Sequence, residues 1–176
     1  ELRSSVAELG GSPSVWNTAL MFYQAVLLLG YGYAHLSGRL TVKRQIQIQA
    51  VLVLLPLVLM PIAIRTGDPV GGQSPVLWLL ITMAASVGLP FFVVSSTSPL
   101  LQRWYAATRA KGAADPYFLY AASNIGSMIA LLGYPLLIEP KLRLAAQSGL
   151  WAFGYGLYAV LVVTCGVVLW KTPGAL

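Results

Sequence analysis

Long apolar runs alternate with short polar breaks along the chain. A membrane-crossing helix needs about 20 mainly apolar residues to cover ~30 Å of hydrocarbon at ~1.5 Å per residue. Five segments reach that length, at approximately 14–36, 46–64, 75–102, 117–138 and 146–170. The breaks read SGRLTVKRQ, RTGDPVGGQS, RWYAATRAKGAADP and EPKLRL, each rich in Gly, Pro or charge, and none could hold a soluble domain. The pattern predicts an all-α, polytopic transmembrane helix bundle of about five spans, with residues 1–176 forming a single transmembrane domain.

Composition agrees. Only 9% of residues are charged and the mean hydropathy is +0.75, whereas a soluble domain carries roughly a quarter charged residues to hydrate its surface. Trp16, Trp78, Trp104, Trp151 and Trp170 all fall near expected span ends, where an indole buries its ring at headgroup level and keeps its N–H wet. Cys165 stands alone and cannot form an internal disulfide.

The net charge of +6 comes from short clusters between apolar runs, not from a basic patch interleaved with aromatics. That distribution speaks for membrane orientation and against nucleic-acid binding. Arg39, Lys43, Arg44, Arg103, Arg109, Lys111 and Lys171 fall on one side of the five-span topology, and Arg3, Arg65, Lys141 and Arg143 on the other. The richer side is expected in the cytoplasm, with the N-terminus outside and the C-terminus inside. An outside N-terminus implies a signal sequence or a further helix before Glu1.

Within the spans, small residues recur at helical spacing: Gly30 and Ala34 on the first, Ala122, Gly126 and Ala130 on the fourth, Gly149, Ala152, Gly156 and Ala159 on the fifth. Such stripes let backbones approach, so they are read as helix-packing faces, with a sliding transporter interface as the alternative. The third span carries Pro90 and Pro99 around four hydroxyl residues, Ser95 to Ser98. These hydroxyls either bond their own backbone or line a cavity. Asn17, Gln24, Ser95, Ser96, Thr97 and Asn124 are the candidates for a polar cavity; the packing alternative has them bonded to neighbouring backbone or facing another subunit, with no continuous cavity.

No Asp, Glu, Lys or Arg lies in the middle of a span, and His35, the one histidine, sits at a span end. The usual groups of ion-coupled transport are therefore lacking from the expected spans. No catalytic constellation, metal-ligand spacing or phosphate-cradling loop is legible, so the expectation is no enzyme, no metal and no cofactor. Asp115-Pro116 reads as a helix start, with Asp capping and Pro in the first turn.

Two stretches, LGGSPSVWNTALMFYQAVLLLGYGYAHL and SSTSPLLQRWYAATRAKGAADPYFLYAASNIGSMIALLGYPLLIEP, carry a family resemblance that extends through WAFGYGLYAVLV. They resemble the membrane region of bacterial proteins that fuse a transporter-like bundle to a spermidine-synthase-like domain. The resemblance implies a bundle like that of the major facilitator superfamily, a bacterial inner (cytoplasmic) membrane location, and one further helix before Glu1. The glycine-rich, acidic nucleotide-binding motif of the synthase-like domain is not in these residues, so aminopropyl transfer is not implied. The expected function is a non-catalytic membrane subunit, packed among lipids and other transmembrane subunits or helices of the same protein. The alternative is part of a transporter-like bundle for a small solute such as a polyamine.

Overall fold

The computed structural model describes residues 13–59, 74–108, 112–113, 115 and 117–172. Every regular element among them is helical. Helix α1 (Pro13–Ser37) opens on Pro13, whose missing N–H costs nothing in a first turn. Helix α2 (Val42–Leu54) tightens into a 3₁₀ segment, Leu55–Leu59. Pro56 sits at that change of pitch, where it withholds a backbone donor. Helices α3 (Pro75–Met83) and α4 (Leu89–Ala106) run on from each other through a π-helical turn, Ala84–Gly88, just ahead of Pro90. Helix α5 (Tyr117–Gly133) ends in a second π turn, Tyr134–Ile138, which contains Pro135. Helix α6 (Leu144–Lys171) completes the chain.

Four apolar rods are long enough to cross a membrane: Pro13–Ser37, Val76–Ala106, Tyr117–Ile138 and Leu144–Lys171. The expected span at 46–64 differs. Its helix starts earlier, at Val42, and adds Lys43, Arg44 and Gln45 to a segment that already held Gln47 and Gln49. Its described part stops at Leu59, and residues 60–64 lie outside the described residues. The chain is thus an all-α helical membrane bundle with four long apolar spans and a more polar α2.

Helix α4 occupies the centre, with α1 along it on one flank and α2 on another, while α6 packs on α2 and α5 lies against α4 by a thin contact. Successive helices alternate in direction, so the ends of α1, α4 and α6 share one end of the bundle with the starts of α2 and α5. Two apolar clusters record this. Ala34, Ile46, Leu100, Trp104 and Leu169 pack together near that end, and Val53, Val93, Ala159 and Val162 pack deeper. Arg39, Lys43, Arg44, Arg103 and Lys171, all exposed, mark the shared end as the basic end. There, Arg103 Nη2 donates to Gly38 O at 2.8 Å, and Lys43 Nζ stands 5.7 Å from the Trp170 ring centre.

Small residues decide how closely the backbones approach. A Cβ on Gly30 would fall 2.1 Å from Ser95 Oγ and 3.1 Å from Ser96 N, so α1 meets the α4 backbone at this glycine. A Cβ on Gly166 would fall 2.9 Å from Ile46 Cγ2. The buried face of α6 runs through Tyr155, Ala159, Val162, Gly166 and Leu169. Of the expected α6 stripe, Ala159 lies on that face, Ala152 and Gly156 are half-buried beside it, and Gly149 is exposed. On α5 every residue of Ala122, Gly126 and Ala130 is exposed, and a Cβ on Gly126 would meet nothing within 4 Å. Hydrocarbon can solvate so apolar a helix, which is why α5 stands with no buried residue of its own.

One tryptophan departs from the interfacial expectation. Trp104 is buried, and its Nε1–H donates to Gln45 Oε1 at 3.1 Å. The indole found its polar partner on α2 rather than among headgroups, because the helix start at Val42 puts Gln45 beside it.

Candidate functional site: a buried polar seam and a divided crevice

Two polar features occupy opposite sides of α4. The first is a closed seam against α2 and α6. The hydroxyls of Ser96 and Thr97 donate to Val93 O at 2.9 and 2.8 Å. Having spent their protons on that carbonyl, both oxygens accept from Gln49 Nε2, at 3.4 and 2.9 Å. Tyr158 OH donates to Thr97 Oγ1, with its oxygen 3.3 Å from Val93 O. Tyr155 OH reaches across to Val53 O at 3.1 Å, and Gln45 Nε2 donates to Leu40 O at 3.0 Å. Gln45 and Gln49 are 1% and 0% exposed, so nothing from solvent enters this seam. Ser96 and Thr97, expected as cavity candidates, are structural here.

Gln45, Gln49, Tyr155 and Tyr158 were not expected at a site. The signal was present: Gln45, Gln49 and Val53 recur every fourth residue and share one helix face. Gln49 Oε1 and Tyr33 OH are buried without a hydrogen-bond partner among the described residues.

The second feature is a pair of adjoining cavities on the other side of α4, one between α1, α4 and α5 and the other between α1, α4 and the start of α6. The one toward the basic end measures about 500 Å³. Helix α1 lines it with Leu27 and Tyr31, and α5 with Tyr120, Ser123, Asn124 and Ser127. From α4 come Phe91, Val94, Ser95, Ser98, Pro99 and Gln102. Pro99 has no N–H to give the carbonyl four residues before it, that of Ser95, so a polar backbone atom is released beside this cavity. Ser95 Oγ donates to Phe92 O at 2.9 Å, Ser127 Oγ to Ser123 O at 3.0 Å, and Gln102 Nε2 to Ser98 Oγ at 3.5 Å. The hydroxyl oxygens keep free lone pairs. Among the described residues the lining holds no Asp, Glu, Lys, Arg or His.

The cavity toward the opposite end measures about 550 Å³ and is largely apolar. Its wall is Val87, Pro90, Phe91 and Val94 on one side, Tyr23 on α1, and the start of α6 with Leu144, Gln147, Ser148 and Trp151. Phe91 and Val94 line both cavities. The Phe91 ring meets Tyr23 edge to face, with centres 4.9 Å apart and planes at 76°.

Of the six expected cavity residues, the structure therefore brings Ser95 and Asn124 together. Asn17 and Gln24 are exposed on α1 and line neither cavity. Ser95, Ser96 and Thr97 bond neighbouring backbone, and Asn124, exposed on α5, borders the cavity toward the basic end. Pro99 and the α5 face Ser123-Asn124-Ser127 border the space, and no local pattern marks them as facing each other. No grouping of His, Cys, Asp and Glu among the described residues could hold a metal ion. Comparison with protein-family models, curated proteins and solved structures found no match to this chain.

Proposed function

We propose that the chain is part of a membrane transport unit for a small, uncharged, polar solute, held between α1, α4 and α5. The observation that carries this reading is the cavity in which Asn124, Ser95, Ser98 and Gln102 converge. Polar groups are costly to leave facing hydrocarbon, and a solute bearing hydroxyl or amide groups would bond the Asn124 amide and the hydroxyl lone pairs that the intrahelical bonds leave over. The lining argues against a polyamine, since a polycation entering it would meet no carboxylate. The resemblance to transporter-like bundles of the major facilitator superfamily agrees with this reading, without the polyamine chemistry of the fused synthase-like domain. The reading also makes the chain non-catalytic and places it in a bacterial inner membrane, with the basic end in the cytoplasm.

Uptake of radiolabelled polyols and urea-like amides into proteoliposomes containing this chain tests the reading. Saturable uptake is expected. Asn124→Leu should weaken it about three- to thirty-fold, the equivalent of one or two interhelical polar contacts of ~0.6–2 kcal/mol. Saturable uptake unaltered by Asn124→Leu would refute the site, and no uptake at all would refute transport by this chain.

A second reading, a packing subunit without transport, draws on α5. Its Ala122–Gly126–Ala130 stripe is exposed and unfilled within the chain, a surface on which another transmembrane helix fits. Cross-linking between Gly126→Cys and a neighbouring subunit in native membranes, together with absent uptake, would favour it.

A further inference from the structure

We infer that the Phe91–Tyr23 ring pair is the barrier inside a single solute route, and that the two cavities are its two halves. The inference rests on the transport reading and adds to it a gate with a position. Phe91 stands midway between Pro75 and Ala106 along the continuous α3–α4 rod, and so near the middle of the membrane. The polar cavity lies entirely on its basic-end side, reaching to Gln102 and Tyr120; the apolar cavity lies on the other side, bounded by the first two turns of α6.

Among the described residues Phe91 and Val94 are common to both linings, so the two spaces adjoin at the half-buried Phe91 ring and the exposed Val94. Tyr23 holds the Phe91 ring from α1 by an edge-to-face contact, a modest attraction added to area burial. That is firm enough to keep the ring in place and weak enough to yield when a solute competes for the space. A barrier of two rings and a valine offers no hydrogen bond. Water and hydrated ions lose their shells against such a constriction, whereas a compact uncharged molecule loses only a few hydrogen bonds in passing.

The backbone beside the barrier is unusual in the same place. The π-helical turn Ala84–Gly88 and Pro90 lie within two turns of Phe91. Both loosen the regular ladder of helical hydrogen bonds, so α3 and α4 meet at a joint next to the gate.

Thiol accessibility tests this independently of any solute. In full-length chain carrying Cys165→Ala, reconstituted into liposomes, a charged methanethiosulfonate reagent is added from the basic-end side. Ser98→Cys, in the polar cavity, should react readily, and Val87→Cys, in the apolar cavity, at least tenfold more slowly. Adding Phe91→Ala should abolish that difference, and Phe91→Trp should preserve it. Tyr23→Ala, which leaves Phe91 in place without its support, should give an intermediate rate and serves if Phe91→Ala does not fold. Equal rates at Val87→Cys with Phe91 present and in every barrier variant would overturn the gate while leaving the cavity intact. An unreactive Ser98→Cys would instead overturn the solvated cavity, and the transport reading with it.

Discussion

Gln49 Nε2 lies 2.9 Å from Thr97 Oγ1 across the α2–α4 interface, and neither side chain is more than 4% exposed. The bond is oriented by a third group, since Thr97 has already given its proton to Val93 O at 2.8 Å. Donor and acceptor roles are therefore fixed, and α2 can satisfy its amide at one register only. This seam ties the least apolar helix of the bundle to its centre.

A double-mutant cycle should detect that register. Gln49→Leu and Thr97→Val are each expected to lower stability, and the coupling between them should be about 0.6–1.7 kcal/mol, the range of interhelical hydrogen bonds in membrane proteins. The measurement is unfolding of the reconstituted chain in mixed micelles. Additive losses would mean that the two side chains contribute separately, without the bond. Gln49→Leu also removes the unpartnered Oε1, which offsets part of its cost.

The glycines should separate by location. Gly30→Ala places a methyl where Ser95 Oγ and the Ser96 backbone already are, so α1 must retreat from α4 at an overpacking cost of ~1–3 kcal/mol. Gly126→Ala, with open space around it, should leave the detergent-purified chain as stable as before or raise its helix stability slightly. Thermal unfolding followed by circular dichroism would compare them. Similar midpoints for the two variants would contradict the close contact at Gly30.

Why the sequence disclosed one of these and not the other is a matter of which interactions are local. Length and hydropathy are local, so the four long rods came out within a few residues of Pro13–Ser37, Val76–Ala106, Tyr117–Ile138 and Leu144–Lys171. The spacing of small residues is local too, but not the choice of helix that covers them. Gly30 has a partner and Gly126 has none among the described residues, though each sits on a comparable stripe. Gln45 and Gln49 looked like loop and span-edge residues, because their value depends on Trp104 and Thr97, which lie far along the chain. Asn124 and Ser95 could be nominated from residue type, whereas their meeting across a cavity depends on the pose of α5. Asn17 and Gln24 were equally polar and face elsewhere.

Orientation is open to labelling. With Cys165 replaced by alanine, Thr41→Cys lies in the short turn at the basic end and Pro140→Cys in the turn at the opposite end. The excess of Lys and Arg predicts that the basic end is cytoplasmic. In intact cells an impermeant maleimide should label Pro140→Cys and spare Thr41→Cys until the membrane is opened. The reverse pattern would invert the bundle and place the polar cavity on the outer side of the gate.

The charge selectivity of the cavity should be reversible by one residue. Among the described residues its lining contains hydroxyls, amides and phenols and no carboxylate, so a small diamine should not compete with a neutral polyol for uptake. Ser98 is half-buried, one residue before Pro99 and two turns from the basic end of α4 at Ala106. Water is near enough there for an introduced carboxylate to remain ionised. At ~4 Å and an effective dielectric of ~20, a carboxylate and an ammonium attract by about 4 kcal/mol, a figure reduced by solvent and salt at this partly open position. Even a quarter of it would give about a fivefold preference. Ser98→Asp should therefore make uptake sensitive to inhibition by a diamine, more so at low than at high ionic strength, while the native chain stays insensitive. Ser98→Asn, of the same size and uncharged, should behave like the native chain. Diamine inhibition of the native chain would mean that a cation already finds an anionic partner along the route, and the uncharged-solute reading would have to be abandoned.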